Sequence, residues 1–90
     1  MPDYLRLSSG RMISVGQLYR DNREVNVRTL RVDHISERDD HEDTERYITC
    51  TVIRQEYDGV VMEPMRTTRM VARRLTSKSF VLVGSADADS

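Results

Sequence analysis

The side chains with the widest chemical range in this chain are two histidines, one cysteine and a long series of arginines. His34 and His41 lie among the acids between Asp33 and Asp43. Two imidazoles with carboxylates could ligate a divalent cation, but the segment lacks the glycine and terminal glutamate of a calcium loop. Cys50 has no second cysteine to pair with, and no Cys/His spacing of a zinc site is present. No metal and no cofactor is therefore expected. A nucleophilic cysteine needs a histidine base and an orienting carboxylate beside it. Cys50 instead alternates with Ile48 and Val52, which predicts an inward-facing thiol acting as a small hydrophobe. The four glycines are single and far apart, so no glycine-rich phosphate loop is formed. These absences predict a protein with no catalytic residues, and not an enzyme.

What remains is the chemistry of arginine. The chain holds thirteen arginines and one lysine, and four of the arginines with that lysine fall in "RTTRMVARRLTSKSF", Arg66 to Phe80, which contains no acid. The net charge is nevertheless −1, because "ERDDHEDTE" gathers six carboxylates: Glu37, Asp39, Asp40, Glu42, Asp43 and Glu45. Two readings follow. Clustered cations release counterions from a phosphate chain, so Arg66, Arg69, Arg73, Arg74 and Lys78, with Arg28 and Arg31 on a neighbouring strand, could bind nucleic acid, and Tyr47 and Tyr57 could stack bases. The isoelectric point near 6.1 argues against this, since nucleic-acid domains commonly exceed about 9. Separated acidic and basic faces equally suit a protein partner, or a second copy of the chain. Met62 and Met65, beside Val60 and Val61, would add an adaptable apolar contact unless they fill the core. The expectation is a binding module acting through protein–protein contact, on a host target or on itself, with nucleic-acid binding as the alternative.

Short strands must position these residues. "VRTLRVDHI", Val27 to Ile35, alternates Leu30 and Val32 with polar neighbours, and "RYITCTVIR", Arg46 to Arg54, places Ile48, Cys50 and Val52 on one face. Asp58-Gly59 is the pair that a two-residue hairpin turn prefers, and Pro64 should interrupt the strand that follows or sit at an edge. "TTRMVARRL" then assigns Met70 and Ala72 to the core and Arg69 and Arg73 to the outer face. "RRLTSK" is a turn with a single helical turn near Arg73 to Ser77, and Ser79 to Gly84 is a last strand. Towards the front, a strand around Val15 to Tyr19 is broken at Gly16 and leads to a turn at Asp21-Asn22. No amphipathic segment of helical length appears.

The acidic run 37–45 reads as a solvated loop, because six like charges leave nothing to bury. Residues 1–12 are expected as a flexible arm, 13–84 as one small domain and 85–90 as a disordered tail. Five short antiparallel strands in a 90-residue chain predict an all-β fold curled into a small barrel, Src-homology-3-like, with an OB-like barrel as the alternative. No run approaches a membrane span or a signal peptide, so a cytoplasmic location with no membrane partner is expected.

Gly16, Tyr19, Asp21, Asn22 and Arg23, then Arg28, Leu30, Arg31 and Val32, then Arg69, Arg74, Thr76, Ser77, Phe80, Leu82 and Val83 form a soft pattern over about half of the chain. In these residues the chain resembles a group of short actinobacterial and actinophage proteins. The resemblance implies a small barrel and an origin in a high-GC bacterium or its phage, in line with the arginine bias. It brings no catalytic residues. The acidic run before Arg46 and the "YDGVVMEPM" hairpin depart from the pattern.

Overall fold

The computed structural model describes residues 3–37 and 42–85. The chain is all-β, with every strand pair antiparallel. Eight strands are formed among the described residues, against the five expected: β1 (Tyr4–Arg6), β2 (Met12–Ser14), β3 (Gln17–Asp21), β4 (Val27–Ile35), β5 (Tyr47–Tyr57), β6 (Val60–Met62), β7 (Arg66–Val71) and β8 (Phe80–Ser85). Strands β1 and β2 pair as a separate hairpin. The other six form one sheet in the order β6-β5-β4-β3-β8, with β7 also on β5.

Strand β5 is the spine of this sheet. One edge pairs with β4 along its length, and the other is divided: Tyr47 to Val52 pair with β7, and Gln55 to Tyr57 with β6. The sequence dictates the division. Asp58 and Gly59 adopt φ of 52° and 77°, both in the left-handed region, and fold β6 straight back on β5. Five residues after Gly59, Pro64 has no N–H to donate, and the ladder stops at Met62. Met65, itself at φ 53°, donates its N–H to the Val52 carbonyl at 2.9 Å, and β7 resumes on the same edge.

The core explains the rest. Leu30 and Val32 are fully buried, as alternation predicts, but Val27 and Ile35 are buried as well. Strict period-2 geometry would turn Val27 and Ile35 to the other face. The register shift at Val32/His34 places one extra residue, Asp33, in β4, which resets the face so that Ile35 turns inward, while the shift at Thr29/Leu30 places its extra residue, Ile53, in β5. Ile48, Cys50 and Val52 face the same core from β5, with Tyr19, Met70, Ala72, Leu75 and Phe80.

Residues 3–12 do not hang off this body. They supply β1, and Leu5 and Leu7 are buried in one core cluster with Ile13 of β2 and the core residues of the sheet. The break expected at Gly16 is a turn at Val15-Gly16, with Gly16 at φ 96°, which separates β2 from β3, so the strand expected around Val15 to Tyr19 begins only at Gln17. At the other end β8 runs to Ser85; the remainder of the expected tail, 86–90, lies outside the described residues.

Candidate functional site

The predicted basic surface is built from three elements. Strand β7 carries Arg66 and Arg69. The chain then leaves the strand at Val71 and makes one helical turn, α1 (Ala72–Leu75), which carries Arg73 and Arg74. Arg73 is therefore not on a strand beside Arg69, as alternation suggested. Ala72 and Leu75 are both buried in the core, which takes the chain off the strand, while Thr76 Oγ1 donates to the Ala72 carbonyl at 3.1 Å and Ser77 Oγ to the Arg74 carbonyl at 2.6 Å. Lys78 follows in the connection to β8.

Several of the arginines are already engaged within the chain. Arg73 Nε lies 3.0 Å from Glu45 Oε1. Arg31 Nε donates to Asp33 Oδ1 at 2.7 Å, and Thr51 Oγ1 donates to the other Asp33 oxygen. Arg46 is buried, donates to the Ser36 carbonyl and approaches Asp43 at 3.6 Å. Arg69 lies with its guanidinium carbon 4.6 Å from the centre of the Tyr47 ring. Tyr47 is thus covered on one side by a cation rather than left as an open stacking platform. Arg66, Arg74 and Lys78 have no ion pair among the described residues.

Arg28 has the most constrained place. Its Nε and Nη2 fork onto the two oxygens of Asp21 at 2.9 and 3.1 Å, and its backbone N–H reaches Asp21 Oδ2 at 2.8 Å. Arg23 adds a longer contact at 3.4 Å. Burial by itself would raise the Asp21 pKa, but the fork, the backbone N–H and the two positive charges outweigh it and hold the carboxyl below its ordinary value. The same fork raises Arg28 above its own. Nothing in the sequence pattern marked this pair. Asp21 read as a turn residue, whereas it closes β3 and is buried.

The two tyrosines fall at opposite ends of β5. Ten residues of strand separate them by about 33 Å, so Tyr47 and Tyr57 cannot serve one small ligand. Tyr57 belongs instead to the hairpin end, half exposed beside Val60. The acidic run is similarly divided. Asp43–Glu45 is a single 3₁₀ turn facing α1 rather than solvated loop, Glu37 and Glu42 are exposed, and Asp39 and Asp40 lie outside the described residues, as does His41. Among the described residues no group of three or more His, Cys, Asp or Glu side chains could hold a metal ion. Cys50 is buried, and burial pushes its thiol up to about 12, with Asp33 adding to the rise. Among the described residues no helix is long and apolar enough to cross a membrane.

Three of the predicted residues do converge. Arg28, Arg69 and Arg74 line one concavity of about 340 Å³ with Thr68, Met70 and Val71. A second feature is apolar. Val60, Val61, Met62 and Met65 are all exposed, which resolves the choice between surface and core for this group. In β8, Val81, Leu82 and Val83 are exposed at 45%, 45% and 50%. The uninterrupted run Val-Leu-Val reads in sequence as a strand covered on both faces, and so gave no hint of exposure. Among the described residues strand β8 is paired through β3 alone, and the strand carries no charge and no proline.

Compared with known protein families, with curated proteins and with solved structures, the chain matches none.

Proposed function

We propose that this chain is a non-enzymatic protein-interaction module that uses the apolar edges of its sheet. The observation that carries the proposal is the exposure of Val60, Val61, Met62 and Met65 at one edge and of Val81, Leu82 and Val83 at another. Isolated apolar residues on a surface need no explanation, but contiguous ones on outer strands mark contact sites. An outer strand also offers unpaired backbone N–H and C=O groups, to which a partner strand can add. Tyr57, Val60 and Met62 share one face of the β5–β6 hairpin, since Tyr57 pairs with Val60 and Gln55 with Met62. An aromatic ring, a valine and a methionine together make an anchor of the adaptable kind.

The architecture proposed for the module is Src-homology-3-like. It is supported by the meander β3-β4-β5 flanked by β7, the return of β8 to β3, and the helical turn between β7 and β8. An OB-like barrel, with its Greek-key order, has less support from these pairings. Docking of acidic loop onto basic strand between copies is weakened by the pairs each copy makes internally, Arg73 with Glu45 and Arg46 with Asp43. Nucleic-acid binding by the predicted residues loses Arg31 and Arg73 to carboxylates in the same way.

The test places a charge at each edge. Met62→Lys and Leu82→Lys change exposed side chains and should leave the circular dichroism of the fold intact. The wild type should retain a specific protein from a host lysate, or form a defined oligomer by light scattering, and one of the two variants should lose it. A wild type that stays monomeric and retains nothing the variants do not also retain would sink the proposal.

A further inference from the structure

The concavity lined by Arg28, Thr68, Arg69, Met70, Val71 and Arg74 contains no carboxylate among its lining residues. We infer that it binds a single phosphate group, either inorganic phosphate or the phosphomonoester of a small molecule. This surface is separate from the apolar edges and does not depend on the interaction role.

Two of its three guanidiniums are held in place before any ligand arrives. Asp21 fixes Arg28 through Nε and Nη2 and leaves Nη1 without a partner among the described residues. Tyr47 fixes Arg69 by stacking at 4.6 Å. Ordering such long side chains in advance removes part of the entropy that binding would otherwise cost. Arg74, exposed on α1 and without an ion pair among the described residues, keeps all its donors free to close on a ligand. Thr68 adds a hydroxyl.

Asp21 does not cancel the site, because its one negative charge is shared between Arg28 and Arg23. Planar guanidinium forks match the oxygens of a phosphate better than they match a monovalent halide. A single phosphate fits better than a phosphodiester chain. A chain needs cations spaced along a track, whereas Arg31, Arg46 and Arg73, which would extend one, are neutralised by Asp33, Asp43 and Glu45.

The experiment is an NMR titration of the intact chain, at low salt, with inorganic phosphate, with phenyl phosphate as a simple monoester, and with an oligothymidylate lacking terminal phosphates. Both small phosphates should give saturable shifts confined to Arg28 and to residues 68–74. Arg74→Gln and Arg69→Gln should each weaken binding about tenfold. Arg54→Gln, whose guanidinium pairs with Glu56 outside the concavity, should not. Arg28→Gln is avoided because it would strand the buried Asp21. No saturable shift in the millimolar range, equal affinity in all three variants, or shifts spread evenly over every arginine would overturn the inference. Tighter binding of the oligothymidylate than of either small phosphate would also overturn it, in favour of a nucleic-acid chain.

Discussion

Asp21 and Arg28 behave as one unit, and the pH dependence of stability should report it. The folded-state pKa of Asp21 lies below its ordinary value, so its contribution is complete above about pH 4 and is lost as the pH falls towards the lowered folded value. Asp21→Ala should destabilise the protein by about 3 kcal/mol at neutral pH, because it leaves a half-buried guanidinium unmatched. Chemical denaturation at a series of pH values should show the gap between wild type and variant narrowing below pH 4; a gap independent of pH would contradict the assignment. Cys50 gives the opposite sign. Its folded pKa is raised to about 12, so the contribution is present below the ordinary thiol value and fades as the pH rises through it. In the native protein a thiol reagent at pH 8 should label Cys50 no faster than the chain unfolds. Rapid labelling of folded protein would place the thiol at the surface.

At the scale of the element, turn chemistry and alternation were legible in the sequence because they are local. Asp58-Gly59 had to be a turn, and Pro64 had to end a ladder. Gly59 sits at φ 77° with open space where a side chain would project, so a substitution there meets only backbone strain. Gly59→Val should cost about 1–2 kcal/mol in thermal or denaturant unfolding, and Gly59→Asn clearly less, because asparagine tolerates the left-handed region. A Val variant as stable as wild type would mean that the hairpin does not need this conformation. What alternation could not show is where it is interrupted. The register shift of β4 at Val32/His34 buries Ile35 without leaving a mark in residue type, and the exit from β7 at Val71 depends on where Ala72 and Leu75 find the core. Those are tertiary decisions, and a window of nine residues does not contain them.

For the whole molecule, the front of the chain is the clearest case. Residues 1–12 have no periodicity of their own, since β1 and β2 have only three residues each, yet Leu5 and Leu7 are nearly fully buried. Deleting residues 1–8 removes both from the core. Each buried leucine is worth about 2–5 kcal/mol, so the truncated chain should lose about 5 kcal/mol or more, most of the stability of a domain this size. A cooperative unfolding transition at the wild-type midpoint would show that the hairpin packs only loosely. The candidate site was legible in part for a similar reason. Sequence located the arginines but not their partners, since Asp21 and Glu45 meet Arg28 and Arg73 only after the strands pair, whereas Asp33 stands two residues from Arg31 on β4.

The division of the β5 edge at Pro64 has a consequence for how the sheet comes apart. Strand β7 is pinned by Met70 in the core and by α1 beyond it, whereas all three residues of β6 are exposed. One edge of one strand therefore has two stabilities. The amides of β6 that bond β5 should open by a local fluctuation of the hairpin, while those of β7 that bond β5 should exchange with solvent only when much of the fold is lost. Pro64 works as a break in cooperativity, which lets the hairpin release β5 and pair again without disturbing the core beneath it.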